Sequence, residues 1–168
     1  ADTDKVITEQ GMNGLYTNTL FALSHEMNPY FEQGLELGRS FVQPKYWGKR
    51  SLDYLWYGIG AFVKKYPNYR YLFGPVSISN NMPKAAKELM VYFYRAYFGE
   101  NTDIATSRSP FTIEAKTASA QKEHFVGNDY QKDFAMLKHL LANMGVSVPT
   151  LYKQYSELTE PGGVKFLD

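Results

Sequence analysis

Two charged side chains, Glu36 and Arg39, lie in an otherwise apolar stretch of the chain. Apolar residues alternate there with polar or small ones, a period-2 pattern that predicts a strand from Leu35 to Phe41. A charge among apolar neighbours is costly unless it is paired or used. The two residues could form a catalytic acid–base and positioning pair, because a carboxylate in a partly buried strand can have its pKa raised. They could equally form a structural ion pair at the strand end.

A basic turn, Lys45 to Ser51, follows this strand and leads into a helix. Ser51 is a good N-cap residue, and Lys49 and Arg50 precede it. Backbone N–H groups, the helix dipole and these cations would favour a phosphate or a phosphopantetheine arm. The alternative is a solvated basic loop. No GxxxxGK[ST] or GxGxxG is present, so nucleotide hydrolysis and dinucleotide binding have no support.

The turn opens a predicted helix that ends with Lys64 and Lys65, before Pro67. A second strand is predicted from Tyr69 to Ser79, which is rich in aromatic and β-branched residues. Strand, helix and strand make a βαβ unit, whose two strands pair in parallel. The apolar face of the helix is predicted to consist of Leu52, Leu55, Trp56, Ile59, Phe62 and Val63.

The rest of the chain is predicted to be mainly helical. One helix follows Asn81 and ends at Gly99, with Ala86, Leu89, Met90, Phe93, Tyr94 and Tyr97 facing inward. We predict a single domain over 1–168, with a core at 15–98, an irregular polar excursion at 99–128 and a helical part at 129–168. The last part contains helices at 129–144 and 149–158, a Pro161 turn, and what looks like the beginning of a strand. We expect both ends to have been cut from something longer.

Composition excludes several classes of protein. With 44% hydrophobic residues, the chain can bury a core, and its net charge of +1 argues against a nucleic-acid partner. Absence of cysteine excludes disulfides and a thiol nucleophile. The histidines lack metal-ligand spacing, so no metal site is predicted, and no GxSxG supports serine catalysis. The sequence has neither an apolar run of about 18 residues nor a leader, so we expect a cytoplasmic protein.

Three motifs occur in order along the first half of the chain. They are Glu36-Leu37-Gly38-Arg39-Ser40-Phe41-Val42-x-Pro44, then Leu52-Asp53-x-Leu55-Trp56-x-Gly58-Ile59, then Tyr71-Leu72-Phe73-Gly74-Pro75-Val76-Ser77. Together they resemble the hemolysin-type GNAT N-acyltransferases, whose relatives synthesise ornithine lipids and glycine lipids. The first motif also resembles the E-x-S-R-F strand of acyl-homoserine-lactone synthases. The resemblance covers residues 15–98 well and the tail from 129 to 168 more loosely.

The resemblance implies an α/β (α+β) fold of the GNAT type, in which helices flank a mixed, mostly antiparallel central sheet. It implies transfer of a long-chain (3-hydroxy)acyl group from acyl carrier protein to the amine of an amino acid such as glycine or ornithine. The usual GNAT pyrophosphate loop, Q/R-x-x-G-x-G/A, is absent, and Lys49-Arg50-Ser51 stands in its place. The missing loop makes acetyl-CoA a less favoured donor. It agrees with acyl carrier protein as donor, because that protein lacks the adenosine diphosphate part of CoA.

Site residues follow from the resemblance and from the chemistry of amide formation. Glu36 would act as base, directly or through a water, and Arg39 would orient Glu36 or hold the acceptor carboxylate. Backbone N–H groups around Ser40 to Val42 would face the thioester carbonyl. The predicted catalytic residues are therefore Glu36, Arg39 and Ser40, and the predicted donor-binding residues are Phe41, Val42, Lys45, Lys49, Arg50 and Ser51.

Two other functions remain open from the sequence. One is a non-catalytic scaffold or a membrane-associated hemolysin-like module, although no strongly amphipathic cationic helix supports membrane lysis. The other is an acetyltransferase that uses acetyl-CoA. Peripheral contact with the inner membrane is a further expectation for the acyltransferase.

Overall fold

The structure is a computed structural model that describes residues 1–100, 103–160 and 162–167. It divides the chain into two compact units, Ala1–Pro75 and Val76–Asp168. Residues 101–102 of the predicted polar excursion and the predicted turn residue Pro161 lie outside the described residues. The single domain with its three parts stays a prediction.

The first unit combines short strands with helices. Its elements are α1 (Thr3–Gln10), α2 (Tyr16–Leu20), β1 (Phe21–Leu23), α3 (Asn28–Glu32), β2 (Gly34–Glu36), α4 (Ser51–Lys65) and β3 (Tyr71–Phe73). The second unit contains α5 (Lys84–Phe98), β4 (Ala105–Ser107), α6 (Ala115–His124), α7 (Tyr130–Asn143) and α8 (Thr150–Ser156). Within the described part of the chain, no helix combines the length and apolar character that crossing a bilayer requires.

Strands β2 and β3 pair in parallel, with Leu35 opposite Leu72 and Glu36 opposite Phe73. The predicted βαβ unit is thereby confirmed, since α4 connects the two strands. On its other side β2 forms an antiparallel bridge between Leu35 and Asp2. The three residues of β2 are all buried.

Both strands are shorter than predicted. The predicted strand from Leu35 to Phe41 ends at Glu36, and Arg39 adopts a left-handed conformation with φ of 54° that no regular strand allows. The predicted strand from Tyr69 to Ser79 is reduced to Tyr71–Phe73. Just after it, a Cβ atom at Gly74 would collide with the carbonyl oxygen of Leu37, so glycine is required for this close approach.

Helix α4 has its predicted bounds but differs from prediction in two respects. Ser51 is the first helical residue rather than the N-cap, and its hydroxyl donates to the carbonyl oxygen of Tyr46 at 3.0 Å. The apolar face is not packed into a core: none of the α4 residues is buried, and Leu55 and Phe62 are each 40% exposed. The spacing of apolar residues predicts which face is apolar but not what covers it.

The second unit is built on an apolar core shared by its helices. Phe93 of α5 has ring contacts with Tyr94, Tyr97, Phe125, Tyr130 and Phe134. The predicted inner face of α5 is confirmed, with Tyr97 only half-buried. Helix α6 was missed in the predicted irregular stretch because its residues are mostly polar and give little periodicity. The buried core residues are Ala86, Leu89, Met90, Phe93, Tyr94, Phe125, Phe134, Leu137, Leu141 and Tyr152.

A buried carboxylate, that of Asp133 on α7, fastens this core to the loop before the helix. Its Oδ2 accepts from the Tyr97 hydroxyl at 2.6 Å and from the Gly127 N–H at 2.8 Å. Burial by itself would raise the pKa of Asp133, but these hydrogen bonds outweigh it and lower that pKa. Its contribution to stability is therefore present above the unfolded-state value of about 4 and lost as pH falls through the lower folded value.

We predict that Tyr97→Phe lowers the free energy of unfolding by about 1–2 kcal/mol at pH 7, because a buried carboxylate loses one hydrogen bond. The difference from the parent protein should shrink as pH falls below about 4, where the carboxylate becomes protonated. Denaturant unfolding at several pH values measures both effects. Tyr92→Phe on the same helix is the control, since that hydroxyl takes no part in the network. Equal losses for the two variants would contradict the prediction.

Candidate active site

The Glu36 side chain is buried and binds the beginning of helix α2. Its Oε1 accepts from the Thr17 N–H at 2.6 Å, and its Oε2 accepts from the Tyr16 N–H at 3.2 Å. Both N–H groups belong to the first turn of a helix, where they lack intrahelical partners and where negative charge is favourable. Both carboxylate oxygens are therefore occupied within the fold.

Arg39 lies close to Glu36 in the chain but makes a different contact. Its side chain is exposed, and its guanidinium carbon lies 4.9 Å above the centre of the Tyr16 ring. The Arg39 guanidinium therefore stacks on the Tyr16 ring and does not form the structural ion pair with Glu36 that the sequence suggested as an alternative. The left-handed backbone at Arg39 interrupts the strand alternation that would have placed this side chain among the apolar ones.

The predicted donor-binding strand is instead a loop after β2. Ser40 is exposed, Phe41 is 81% exposed, and Val42 is half-buried. The Trp47 indole N–H donates to the Val42 carbonyl oxygen at 2.7 Å, which closes the loop upon itself. A single turn of 3-10 helix, Pro44–Tyr46, lies inside this closed loop.

The predicted phosphate-binding residues gather at the beginning of α4. Lys45, Lys49 and Arg50 are all exposed, and Arg50 pairs with Asp53 at 2.8 Å. The hydrogen bond to Asp53 raises the pKa of Arg50 and offsets part of its charge. Arg50, the N-cap residue of α4, makes no side-chain capping hydrogen bond. The positive end of the α4 dipole, with Lys45 and Lys49 beside it in the chain, is suited to an anion.

A groove with a volume of about 830 Å³ lies in the first unit, between β2 and α4. Leu35 and Leu37 line it from the strand side, and Leu55, Ile59 and Phe62 line it from the helix. The remaining lining residues are Ala1, Asp2, Lys5, Tyr54, Gly58, Tyr66, Asn68 and Tyr69. Three residues of the predicted apolar face of α4, namely Leu55, Ile59 and Phe62, therefore form a wall of this groove.

Three polar lining residues of the groove contact one another: the carboxylate of Asp2, the ammonium of Lys5 and the phenol of Tyr69. The Tyr69 hydroxyl donates to Asp2 Oδ2 at 2.5 Å, and the Lys5 ammonium lies 3.3 Å from the same oxygen. Burial would raise the pKa of Asp2, but the hydrogen bonds from Tyr69 and Lys5 lower it on balance. Local sequence patterns did not predict the contact between Asp2 and Tyr69, because the two residues are 67 positions apart.

Gly58 forms an opening in the α4 wall of the groove. A Cβ atom at Gly58 or at Gly60 would meet no other heavy atom within 4 Å, but only Gly58 lines the groove. Glycine inside a helix costs about 0.5–1 kcal/mol relative to alanine. Two glycines within one amphipathic helix were therefore a sequence signal for a site along α4 that the periodicity alone did not use.

Comparison with known proteins identifies a family model and relatives to which the chain is similar. The family model described as "Acetyltransferase (GNAT) domain" matches residues 3–57, from α1 into α4. The chain is similar to a protein named glycine N(alpha)-acyltransferase from Bacteroides thetaiotaomicron, with 28% identity over 165 residues, 94% of this chain and 49% of that protein. A protein of the same name from Phocaeicola vulgatus is also 28% identical, over 159 residues, 90% of this chain and 48% of the relative. No solved structure matches the chain significantly.

The chain thus spans about half the length of the curated relatives it matches. The predicted α/β fold of the GNAT type is confirmed by the helices with short strands and by the GNAT match. The predicted mixed, mostly antiparallel central sheet is not what β2 and β3 form, since they make a parallel two-stranded sheet. The match begins at α1, upstream of residue 15 where we expected the resemblance to begin. Every predicted site residue lies inside it. Among the described residues no group of three or more acidic or histidine side chains could hold a metal ion.

The Glu36 contacts predict a structural effect. We expect Glu36→Gln to lower the free energy of unfolding by about 1–3 kcal/mol, because one of two buried N–H groups would face an amide NH₂ instead of an acceptor. Denaturant unfolding monitored by circular dichroism measures the change. Glu32→Gln is the control, since Glu32 is exposed and four residues away in the chain, and it should stay within about 0.5 kcal/mol. Equal stability of the two variants would show that the Glu36 carboxylate does not hold α2.

Proposed function

We propose that this chain forms the acyl-donor half of an N-acyltransferase that acylates the amine of glycine. The observation that carries the proposal is the groove between β2 and α4, which the segment matched by the GNAT model enters from the strand side and at the first turns of α4. The similarity to two proteins named glycine N(alpha)-acyltransferase supports glycine as acceptor. Ornithine is the runner-up acceptor from the sequence resemblance.

The groove supports a long acyl group on the donor. Its volume of about 830 Å³ lies within the range of about 300–1,000 Å³ that is usual for ligand sites. Its leucine, isoleucine and phenylalanine walls favour an alkyl chain, and each buried methylene contributes about 0.8 kcal/mol. An acetyl group would use little of this space, so a long-chain donor is favoured over acetyl-CoA.

The phosphate of a phosphopantetheine arm would bind at the beginning of α4. The positive end of the α4 dipole and the cations Lys45 and Lys49 favour an anion there, while Arg50 is partly neutralised by Asp53. A carrier-protein donor has one phosphate at this point and lacks the adenosine diphosphate part of CoA. The loop without the usual glycines therefore suits acyl carrier protein better than CoA.

Transfer requires that the glycine nitrogen attack the thioester carbonyl carbon. The carbonyl oxygen gains negative charge, which N–H groups around Ser40 to Val42 would stabilise. The C–S bond then breaks, the thiol leaves with a proton, and the nitrogen gives up its own proton to a base. Arg39 is exposed and carries the planar fork that suits the glycine carboxylate.

Glu36 is the proposed base, although its oxygens already bind the first turn of α2. A carboxylate oxygen can accept more than one hydrogen bond, so a water beside Glu36 could relay the proton. The anchoring role and the proposed proton-transfer role of Glu36 can be measured separately. Anchoring affects the free energy of unfolding, whereas proton transfer affects turnover at temperatures where the protein is fully folded.

Thiol release from the full-length protein tests the proposed reaction. We expect release from long-chain 3-hydroxyacyl carrier protein only when glycine is present, and much less with ornithine or with acetyl-CoA. Glu36→Gln should lower turnover by about 10²–10⁴ if Glu36 is the base, with Glu32→Gln as the active control. No release from folded protein would reject the proposal in favour of a scaffold, and glycine-independent release would reject it in favour of thioester hydrolysis. Full turnover by the Glu36 variant would reject only the base.

Substitutions at Gly58, which lines the groove, and at Gly60, which does not, test whether the groove holds the acyl chain. Gly58→Leu should lower kcat/KM for a long-chain donor by about 10-fold or more, because the new side chain occupies the space of several methylenes. Activity with a short-chain donor should change little. Gly60→Leu makes the same change on the same helix, outside the groove, and should leave the chain-length preference unaltered. Equal effects of both substitutions would show that the acyl chain lies elsewhere.

A further inference from the structure

Aromatic side chains are unusually exposed between the end of β2 and the middle of α4. Phe41 is 81% exposed, Tyr54 70%, Trp47 69% and Tyr57 61%. Phenylalanine, tyrosine and tryptophan normally bury most of their surface, so a contiguous exposed group marks an interaction site. We call this group the aromatic–basic face. It consists of Phe41, Lys45, Tyr46, Trp47, Lys49, Arg50, Tyr54 and Tyr57.

Contacts within the loop and within α4 join most of the aromatic residues of this face to neighbouring residues. Trp47 is tied to Val42 by its indole N–H, and Lys45 lies 4.8 Å above the centre of the Tyr46 ring. The Arg50 guanidinium donates to the Tyr57 hydroxyl at 3.4 Å, and the rings of Tyr54 and Tyr57 are 6.0 Å apart. The Ser51 hydroxyl, which donates to the Tyr46 carbonyl oxygen at 3.0 Å, links the loop to the first turn of α4.

Positive charge is concentrated in the same segment. Residues 41–65 contain five cations and one carboxylate, that of Asp53, whereas the whole chain carries a net charge of only +1. Asp53 is engaged by Arg50, so it offsets a cation that belongs to the face. A partner that carries negative charge at its surface and an apolar layer beneath would complement both the cations and the exposed aromatic rings of the face.

We propose that the aromatic–basic face binds the surface of a bilayer that contains anionic lipid. Tryptophan and tyrosine prefer the headgroup level of a bilayer, where one edge of the ring is apolar and the other polar. Lysine and arginine add attraction to anionic headgroups, and one such cluster with aromatic anchors is a recognised interfacial combination. An acidic carrier protein would satisfy the cations, but it would not account for four largely exposed aromatic rings.

The indole of Trp47 is preorganised for this role. Because its N–H already donates to Val42, the ring can enter an apolar layer without leaving a donor unpaired. Tyr54 belongs to the face and also lines the groove, so the two sites share a border. If the proposed acyl transfer holds, a lipophilic product could pass from the groove into the bilayer along Tyr54.

Vesicle co-sedimentation of the full-length protein tests the face without any substrate. Vesicles of phosphatidylcholine alone are compared with vesicles in which about one third of the lipid is phosphatidylglycerol. We expect binding to the anionic vesicles and little to the neutral ones. Replacing Lys45, Lys49 and Arg50 together by glutamine should weaken binding about 100-fold, since each cation near an anionic surface contributes about fivefold. As the control, replacing Lys122, Lys132 and Lys153 by glutamine removes the same charge from the second unit. It should have little effect on vesicle binding.

Tryptophan fluorescence locates the contact. The chain has two tryptophans, so Trp56→Phe leaves Trp47 as the reporter. Its emission should shift to the blue, and its quenching by iodide should fall, when anionic vesicles are added. Tyr46→Gln combined with Trp47→Gln should weaken vesicle binding about 10-fold or more, because both aromatic anchors of the loop are removed.

Three results would overturn the proposal: no binding to anionic vesicles, binding without a shift of Trp47, or a Trp47 already shielded from iodide in the free protein. The last would mean that another segment or a second copy covers the face. Cation-dependent binding of acyl carrier protein, with no vesicle binding, would assign the face to that partner instead. Because no step requires transfer, failure of thiol release and failure of vesicle binding are separate outcomes.

Discussion

The contact on which the first unit depends is the one between the Glu36 carboxylate and the two N–H groups at the beginning of α2. A buried carboxylate must be satisfied by donors, and the start of a helix offers N–H groups with no other partner. This contact joins positions 19 and 20 residues apart. The Thr3 hydroxyl donates to the Gly34 carbonyl oxygen at 3.0 Å and adds α1 to the same strand. Strand β2 is therefore fixed from several sides although it has only three residues.

The two units use apolar residues differently. In the second unit the aromatic residues of α5 and α7 are buried against one another in a continuous core. In the first unit the apolar face of α4 stays half-exposed and lines a groove. Apolar surface left open in a folded chain is costly, and it persists where a ligand or partner covers it. This difference places the candidate site in the first unit, where the GNAT match also lies.

Glu36 combines two demands that limit each other. An anchoring carboxylate is best when its oxygens are saturated by fixed donors, whereas a base needs a lone pair that can reach a proton. Tyr16 lies at the centre of this arrangement, because its N–H binds Glu36 and its ring supports Arg39. A small change in the position of α2 would therefore move both predicted catalytic side chains together.

Sequence by itself determined the helices with strong periodicity, the parallel βαβ unit, the inner face of α5, and the segment in which the candidate site lies. These features follow from local spacing and from nearby breakers, which neighbouring residues carry. Only the tertiary structure decided that the strand ends at Glu36, that Glu36 binds α2, that Arg39 stacks on Tyr16, and that Asp2 and Tyr69 close one end of a groove. Each of these is a contact between distant positions or a backbone conformation imposed by such contacts, and local sequence patterns do not encode them.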